Sequence, residues 1–533
     1  MRPMPLIRRH LVAAAAAALA VAALPAEAAV TLFKQGVAEA AAGDEDVAAF
    51  YRERAYEAVW TGADDDDVAR RKALLMAFEE ADSHGLPAAR FDPEIIRALL
   101  TGVSGERALG QAEAELSKLF LAYARAVQTG ILTPSEIDAG LVRTVPLRDR
   151  LETLDAFAAS TPRAFLDSLA PQRPEYTRLR KERMRLERVL ARGGWGETVR
   201  AGKLEPGDTG PEVISLRNRL IAMGYMERTA RTGYDAEMTA AVREFQSDHG
   251  LATDGVAGAS TLAALNTPVE TRLQQILVAM ERERWLNRDL GDRHIWVNLT
   301  DFHTRIIDDG KTSFITRSVI GRSAVDRQSP EFSDEMDHMV INPTWHVPRS
   351  IATKDYLPQL QRNPYAVGHI AVVDRQGYIV PRDAVDFTRF DAQSFPFRMK
   401  QPPSRSNALG LVKFMFPNRW NIYLHDTPEK NLFSREARDY SSGCIRLQDP
   451  FDFAYMLLAR QSDDPRGLFQ RTLDTGRETR IDIVDPVPVH IVYRTAFSEA
   501  KGRMQYRGDI YGRDAKIFRA LRAAGVELRA ARG

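Results

Sequence analysis

The spacing of apolar residues changes three times along the chain. From residue 29 to 200 they recur at helical intervals, as in "LGQAEAELSKLFLAYARAV" at 109–127, so a helical scaffold is expected there. Between 204 and 267 the helical pattern shortens. Pro211 opens a helix with Val213, Leu216 and Leu220 on one face and Gly224 at its end. Asp235 caps a second helix bearing Met238, Val242 and Phe245, Gly250 stops it, and "ATDGVAGASTLAALN" gives a turn and a short third helix. A linker helix is expected over 268–290. From 291 the period falls to two: "HIWVNLTDFHTRIIDDGKTSFITRSVIG" alternates apolar and polar residues on either side of the hairpin signal "DDGK". The chain thus reads as multidomain α+β, with a mainly β unit over 291–486 and a strand-helix tail over 487–533.

Two details of the β unit prepare its chemistry. In "WNIYLHDTP", Ile422 and Leu424 alternate with Tyr423 and His425, so Tyr423 and His425 share the face opposite the core. Downstream, Asp449 and Pro450 read as N-cap and first residue of the helix "FDFAYMLLAR". Between 346 and 405 the alternation is lost; a short helical stretch, "SIATKDYLPQL", leads into Pro-rich and aromatic sequence, as in an insertion.

The first residues alter the setting. Arg2, Arg8 and Arg9 precede the 14-residue apolar run "LVAAAAAALAVAAL", and Ala26 and Ala28 follow at small-x-small spacing. A secretory signal over 1–28, cut after Ala28, is expected. The run is shorter than the roughly 18 residues a membrane-spanning helix needs, so an uncleaved anchor is the weaker alternative and no permanent span is expected in the mature chain. About 505 residues would remain, enough for roughly three domains. With 73 basic and 72 acidic side chains the net charge is +1, which lacks the electrostatic footprint of a nucleic-acid binder. The run "ADDDD" at 63–67 lacks the alternating ligands of a calcium loop, no H-E-x-x-H occurs, and no metal or cofactor is expected.

An exported chain with a single cysteine has no internal partner for it. Cys444 is then either a small buried apolar side chain or a reactive thiol. It lies in "YSSGCIRLQDP", on a turn whose Gly443 can adopt backbone conformations closed to other residues and can help aim amides at one spot. A thiol attacks as thiolate, so it needs a base or cation beside it, and His425, 19 residues upstream, is the candidate.

The string "HDTP", an intervening loop and "SSGCIR" resembles the signature of the YkuD-type L,D-transpeptidases. His425, Ser441, Gly443, Cys444, Ile445 and Arg446 fit it, whereas Ser442 stands where many members carry a second histidine. "NPTWHVPRSI" at 342–351, the segment before "HDTP" and "RGDIYGRD" at 507–514 resemble the large periplasmic YcbB-like branch. "VISLRNRL", "FQ" and "DGVAGAST" resemble the peptidoglycan-binding domain 1 family, with Arg217 in place of the usual Gln. The resemblance implies a three-helix peptidoglycan-binding domain at 204–267 and a catalytic domain at 291–486 with a lid-like insertion at 346–405. It further implies a periplasmic location, and peptidoglycan stem peptides, glycan and other cell-wall synthesis proteins as partners.

By the same resemblance Cys444 attacks the third-residue carbonyl of a stem tetrapeptide, D-alanine leaves, and a second stem's amine resolves the thioester into a 3-3 cross-link. His425 would be the base. Gly443, Ser442, Ser441 and Tyr423 are candidates for oxyanion binding or orientation. Tyr423 is equally open to packing and Ser441 to capping the turn. Arg446 could hold a substrate carboxylate or brace its loop. An L,D-carboxypeptidase, attachment of an outer-membrane protein to the wall, and a non-catalytic wall-binding module remain as alternatives.

Overall fold

The computed structural model describes residues 31–499 and 502–528, so the expected export signal lies outside the described residues. Among the described residues, no helix is long and apolar enough to cross a membrane. Helices predominate as far as residue 285 and strands beyond it, a multidomain α+β architecture.

The N-terminal helices pack around an aromatic cluster in which Phe157 stacks on Phe120 at 4.4 Å and on Trp60 at 5.1 Å. The acidic run at 63–67 starts a helix, Asp65–Glu80: Asp64 Oδ1 accepts the Asp67 N–H at 2.7 Å, and the carboxylates of the first turn face the positive end of the helix dipole. The next unit consists of the three expected helices, Pro211–Met223, Ala236–Asp248 and Ala259–Leu265, around Val213, Leu216, Leu220, Met238, Val242 and Phe245. Arg217 is buried, donating to the carbonyls of Arg231 and Gly233 at 2.5 Å each. It therefore ties the module together from inside.

Helix Val269–Trp285, which the sequence presents as a linker, is buried from Gln275 to its end. Its charged "ERERW" segment is stable inside because each charge has a partner: Arg284 meets Glu281 at 2.6 Å, Glu283 meets Arg173 at 3.0 Å, and Arg282 meets Asp514 at 3.1 Å as well as Glu331. The helix is a strut between the scaffold, the sheet and the C-terminal helix Arg513–Ala523.

Among the described residues fourteen strands follow: β1 (Arg293–Asn298), β2 (His303–Asp308), β3 (Lys311–Gly321), β4 (Phe332–Ile341), β5 (Trp345–His346), β6 (Ala371–Val373), β7 (Arg398–Gln401), β8 (Val412–Met415), β9 (Leu424–His425), β10 (Asp439–Ser441), β11 (Ile445–Leu447), β12 (Thr479–Val492), β13 (Ala496–Ser498) and β14 (Met504–Tyr506). Nine of them form a sheet ordered β10-β3-β11-β9-β8-β4-β12-β1-β2, and an additional β2–β3 pairing closes it on itself. Closure removes the unpaired edges that an open sheet would expose. β12 runs through residue 486, pairing with β4 on both sides of a register shift between Asp482 and Val487 and with β1 from Val489 onward. The C-terminal segment is thereby continuous with the middle of the sheet, because Val487, Val489 and Ile491 belong to its core.

The inserted segment forms a lobe of its own. Strands β5-β7-β6 and a helix at 349–362 enclose Trp345, Leu357, Leu360, Ile370, Phe395 and Met399. Hairpin β13–β14 buttresses the three-helix module: Gln505 Nε2 donates to Asp248 at 2.8 Å, and Tyr506 stacks on His249 with centroids 5.7 Å apart.

Candidate active site

Strand period decides which side chains meet. In the shared register of β8, β9 and β11, Phe414 and Ile445 flank Leu424, while Lys413 and Arg446 flank His425. Phe414, Leu424 and Ile445 are fully buried in the sheet's core. Tyr423, His425, Lys413, Arg446 and Cys444 consequently fall on the opposite face. That face, the inserted lobe, the loop at 137–140 and the C-terminal helix enclose a cavity of about 1190 Å³, lined by Cys444, His425, Tyr423 and Arg446 among others.

Cys444 is held by the loop before β9 as much as by its own turn. The thiol donates to the Asn421 carbonyl at 3.5 Å, and the backbone N–H and hydroxyl of Tyr423 favour its thiolate form. Asn421 reaches that position with φ 52°, in the left-handed region that asparagine tolerates. Asn418 shapes the loop, donating to the carbonyls of Phe416 and Ile422 at 2.6 and 2.7 Å and accepting from the N–H groups of Trp420 and Ile422 at 3.1 Å.

The turn itself is braced internally. Gly443 has φ 121°, and a Cβ there would meet Ile422 at 3.2 Å. Ser441 Oγ accepts the Gly443 N–H at 3.1 Å and donates to the Cys444 carbonyl at 2.5 Å, and Ser329 Oγ donates to the Gly443 carbonyl at 2.6 Å. Of the two roles open to Ser441, these bonds supply turn-capping. They also occupy the Gly443 amide. Ser442 is exposed and accepts from Arg327 at 2.8 Å, and Arg446 forms an ion pair with Glu429 on the loop after β9.

His425 is 4% exposed, and its Nδ1 donates to the Asp426 carbonyl at 2.5 Å. That bond fixes the neutral tautomer and leaves Nε2 with the lone pair. Asp426 is itself anchored, its carboxylate accepting from the Leu411 N–H at 2.9 Å and from Lys430 at 2.7 Å. Burial, reinforced by the positive charges of Arg446 and Lys413, pushes the imidazole down to about 3. Burial pushes the Cys444 thiol up to about 11, against the Tyr423 N–H and hydroxyl and the same two cations, which favour the thiolate. At neutral pH the pair therefore rests as thiol and imidazole.

A measurable consequence attaches to Tyr423. Tyr423→Phe removes one hydrogen bond to the thiolate, a loss of about 1.5–3 kcal/mol and so about 1–2 pKa units. The thiol's pKa rises, the thiolate fraction at pH 8 falls, and alkylation of Cys444 by iodoacetamide should slow about tenfold or more. An unchanged alkylation rate would mean that the hydroxyl does not act on the sulfur.

Tyr423, His425, Cys444 and Arg446 are thus brought to one wall, with Ser441 and Gly443 forming the turn beneath. Asn418, Asn421, Ser329, Arg327 and Lys413 escaped the sequence reading. Of these only Lys413 had a local signal, since Val412 and Phe414 are apolar and the residue between them must share the outward face.

Three family profiles match the chain: a scaffold domain over 45–182, a putative peptidoglycan binding domain over 209–265 and an L,D-transpeptidase catalytic domain over 292–489. A curated relative from Haemophilus influenzae, described as a putative L,D-transpeptidase, is 32% identical over 255 residues, covering 47% of this chain. The match spans 50% of that protein's length. Solved L,D-transpeptidases from Xylanimonas cellulosilytica and Stackebrandtia nassauensis are each 15% identical to this chain. They cover 55% and 56% of it, and 100% and 96% of their own chains, with TM-scores of 0.17 and 0.22.

Proposed function

From the premise that this chain carries an L,D-transpeptidase catalytic domain and a peptidoglycan-binding domain, we propose that it is an exported, cysteine-dependent L,D-transpeptidase that makes 3-3 cross-links in peptidoglycan. Its place would be the periplasm, and its kinship the YcbB-like branch. The observation that carries this reading is the sulfur of Cys444 on the cavity wall, with Tyr423 and a neutral, backbone-tethered His425 on the same face.

In the proposed reaction Cys444 Sγ bonds to the third-residue carbonyl carbon of a stem tetrapeptide as Nε2 of His425 takes the thiol proton. With the Gly443 amide committed to Ser441, the oxyanion falls to the Cys444 N–H and the Tyr423 hydroxyl. The C–N bond to the terminal D-alanine then breaks, His425 returns the proton to the leaving amine, and a thioester remains. The side-chain amine of a second stem attacks the thioester, forming the new amide and releasing the thiol. Arg446, paired with Glu429, holds the loop after His425 and disfavours the protonated ring.

The test is mass spectrometry of the mature protein after incubation with a disaccharide tetrapeptide. Loss of D-alanine with a dimeric product, both absent in Cys444→Ala, is expected. Monomeric tripeptide alone would replace this reading with a carboxypeptidase. Absence of both adduct and turnover would leave a wall-binding module.

A further inference from the structure

The cavity has two walls far apart in sequence, the nucleophile turn and the inserted lobe, and one side chain bonds to both. Arg327 ends a short 3-10 turn, Val325–Arg327, in the loop between β3 and β4. Its Nη1 donates to Ser442 Oγ at 2.8 Å, and its Nη2 donates to Asp355 Oδ1 at 2.8 Å. Ser442 directly precedes Gly443 and Cys444. Asp355 belongs to the lobe's π-helical turn, Ala352–Tyr356. Arg327 is 9% exposed, so the donor end of both bonds is buried, whereas Ser442 is exposed and Asp355 half-buried.

The guanidinium is delivered from a fixed base. A Cβ on Gly321 would lie 2.2 Å from the Arg327 carbonyl, so the loop lies directly on the end of β3. Two residues on, Ser329 Oγ accepts the Gly321 N–H at 3.0 Å and donates to the Gly443 carbonyl. Tyr511 donates its hydroxyl proton to the Gly321 carbonyl, and Arg513 donates to the Ser329 carbonyl at 2.9 Å, so the C-terminal segment fixes the same loop from behind. A second tie to the lobe, Lys354 to Asp326 at 2.6 Å, joins two half-exposed side chains and contributes little.

We propose that Arg327 is a positioning residue that couples the seating of the inserted lobe to the geometry of the nucleophile turn. While the lobe is seated, Asp355 holds one arm of the guanidinium and the other arm pins Ser442. When the lobe lifts to admit or release a large substrate, the turn loses that donor and Cys444 its set position. A planar fork with separate donors can serve two acceptors at once in a fixed relation, which an ammonium on a flexible stem does not reproduce. Ser442 has a matching reason to be a serine: its small hydroxyl accepts the arginine without filling the cavity mouth. The proposal rests on the reading of Cys444 as nucleophile, and it concerns when that nucleophile is correctly placed.

The test is alkylation of Cys444 by iodoacetamide in the full mature chain, which needs no peptidoglycan. Wild type, Asp355→Asn, Ser442→Ala and the double variant form a cycle, each checked for an unchanged melting temperature. Asp355→Asn is expected to change the alkylation rate about threefold or more, and to change it little once Ser442 is alanine. Arg327→Lys should behave as the double variant does. Independent, multiplicative effects of the two substitutions would overturn the coupling, because a lobe that merely controls access would act equally in both backgrounds. A coupled cycle without acyl transfer would overturn the function and keep the coupling; acyl transfer with an uncoupled cycle would do the reverse.

Discussion

His425→Ala is expected to lower the rate of acyl-enzyme formation at pH 7 by about 10²–10⁴-fold and to change the shape of its pH dependence. The size follows from the resting state of the pair. With the thiol at about 11, roughly one Cys444 in 10⁴ is ionised at pH 7, and without a base only that fraction attacks. With the imidazole at about 3, His425 is neutral over the whole physiological range and takes the thiol proton only as the C–S bond forms. The reactive form, thiol beside neutral imidazole, is then dominant between the two values. Wild type should show a flat rate from about pH 5 to 9, whereas His425→Ala should rise about tenfold per pH unit. Stopped-flow measurement of the acyl-enzyme across that range checks both. A wild-type rate that falls away below pH 6.5, as for an ordinary histidine, would mean that the ring is not held neutral by burial. Cys444→Ala should form no adduct at any pH.

That profile depends on groups that differ greatly in how openly the sequence displays them. The alternation of Ile422 and Leu424 with Tyr423 and His425 is local, so a core face and a chemical face can be read directly. The same holds for the three helices at 211–265, where caps and apolar spacing agree, and for the helix Pro450–Leu458 that follows the nucleophile turn. Contacts set by long-range approach are illegible. Asn421 supplies a carbonyl, which every residue carries, and nothing in its identity marks that carbonyl as facing a sulfur 23 residues on. Arg327 is one arginine among many until folding places Ser442 and Asp355 at either end of its guanidinium. Closure of the sheet depends on β2 pairing with both β1 and β3, of which only the hairpin turn between β2 and β3 leaves a mark in the sequence. The helix Val269–Trp285 misleads for a related reason: "ERERW" looks solvated because its partners, Arg173, Glu331 and Asp514, lie far away in the chain.

Glu331 tests that buried network most severely, and Glu331→Ala is expected to destabilise the folded chain by about 3–5 kcal/mol. The residue is 2% exposed. Its carboxylate is shared by Arg282 of the strut helix and by Arg513 of the C-terminal helix, the latter at 3.2 Å, and both arginines are buried. Its backbone joins the scaffold, with its N–H donating to the Gly140 carbonyl at 2.7 Å and its carbonyl accepting the Val142 N–H at 3.0 Å. Three units thus meet on one residue. Removing the carboxylate leaves two guanidinium groups inside the protein; Asp514 still serves Arg282, but Arg513 keeps the Ser329 carbonyl, the faces of Tyr493 and Tyr511, and Asp138 at 3.9 Å. The cost is dominated by that uncompensated charge rather than by the lost hydrogen bonds, so Glu331→Gln, equally uncharged and with one acceptor oxygen for two arginines, should cost nearly as much as alanine. Denaturant titration of the three proteins measures the difference. Because Arg513 also donates to the Ser329 carbonyl, and Ser329 holds the Gly443 carbonyl, the alanine variant should in addition alkylate Cys444 at an altered rate under native conditions. Equal stability of wild type and Glu331→Ala would mean that the strut does not depend on its paired charges, and that packing of the helix alone joins the scaffold to the barrel.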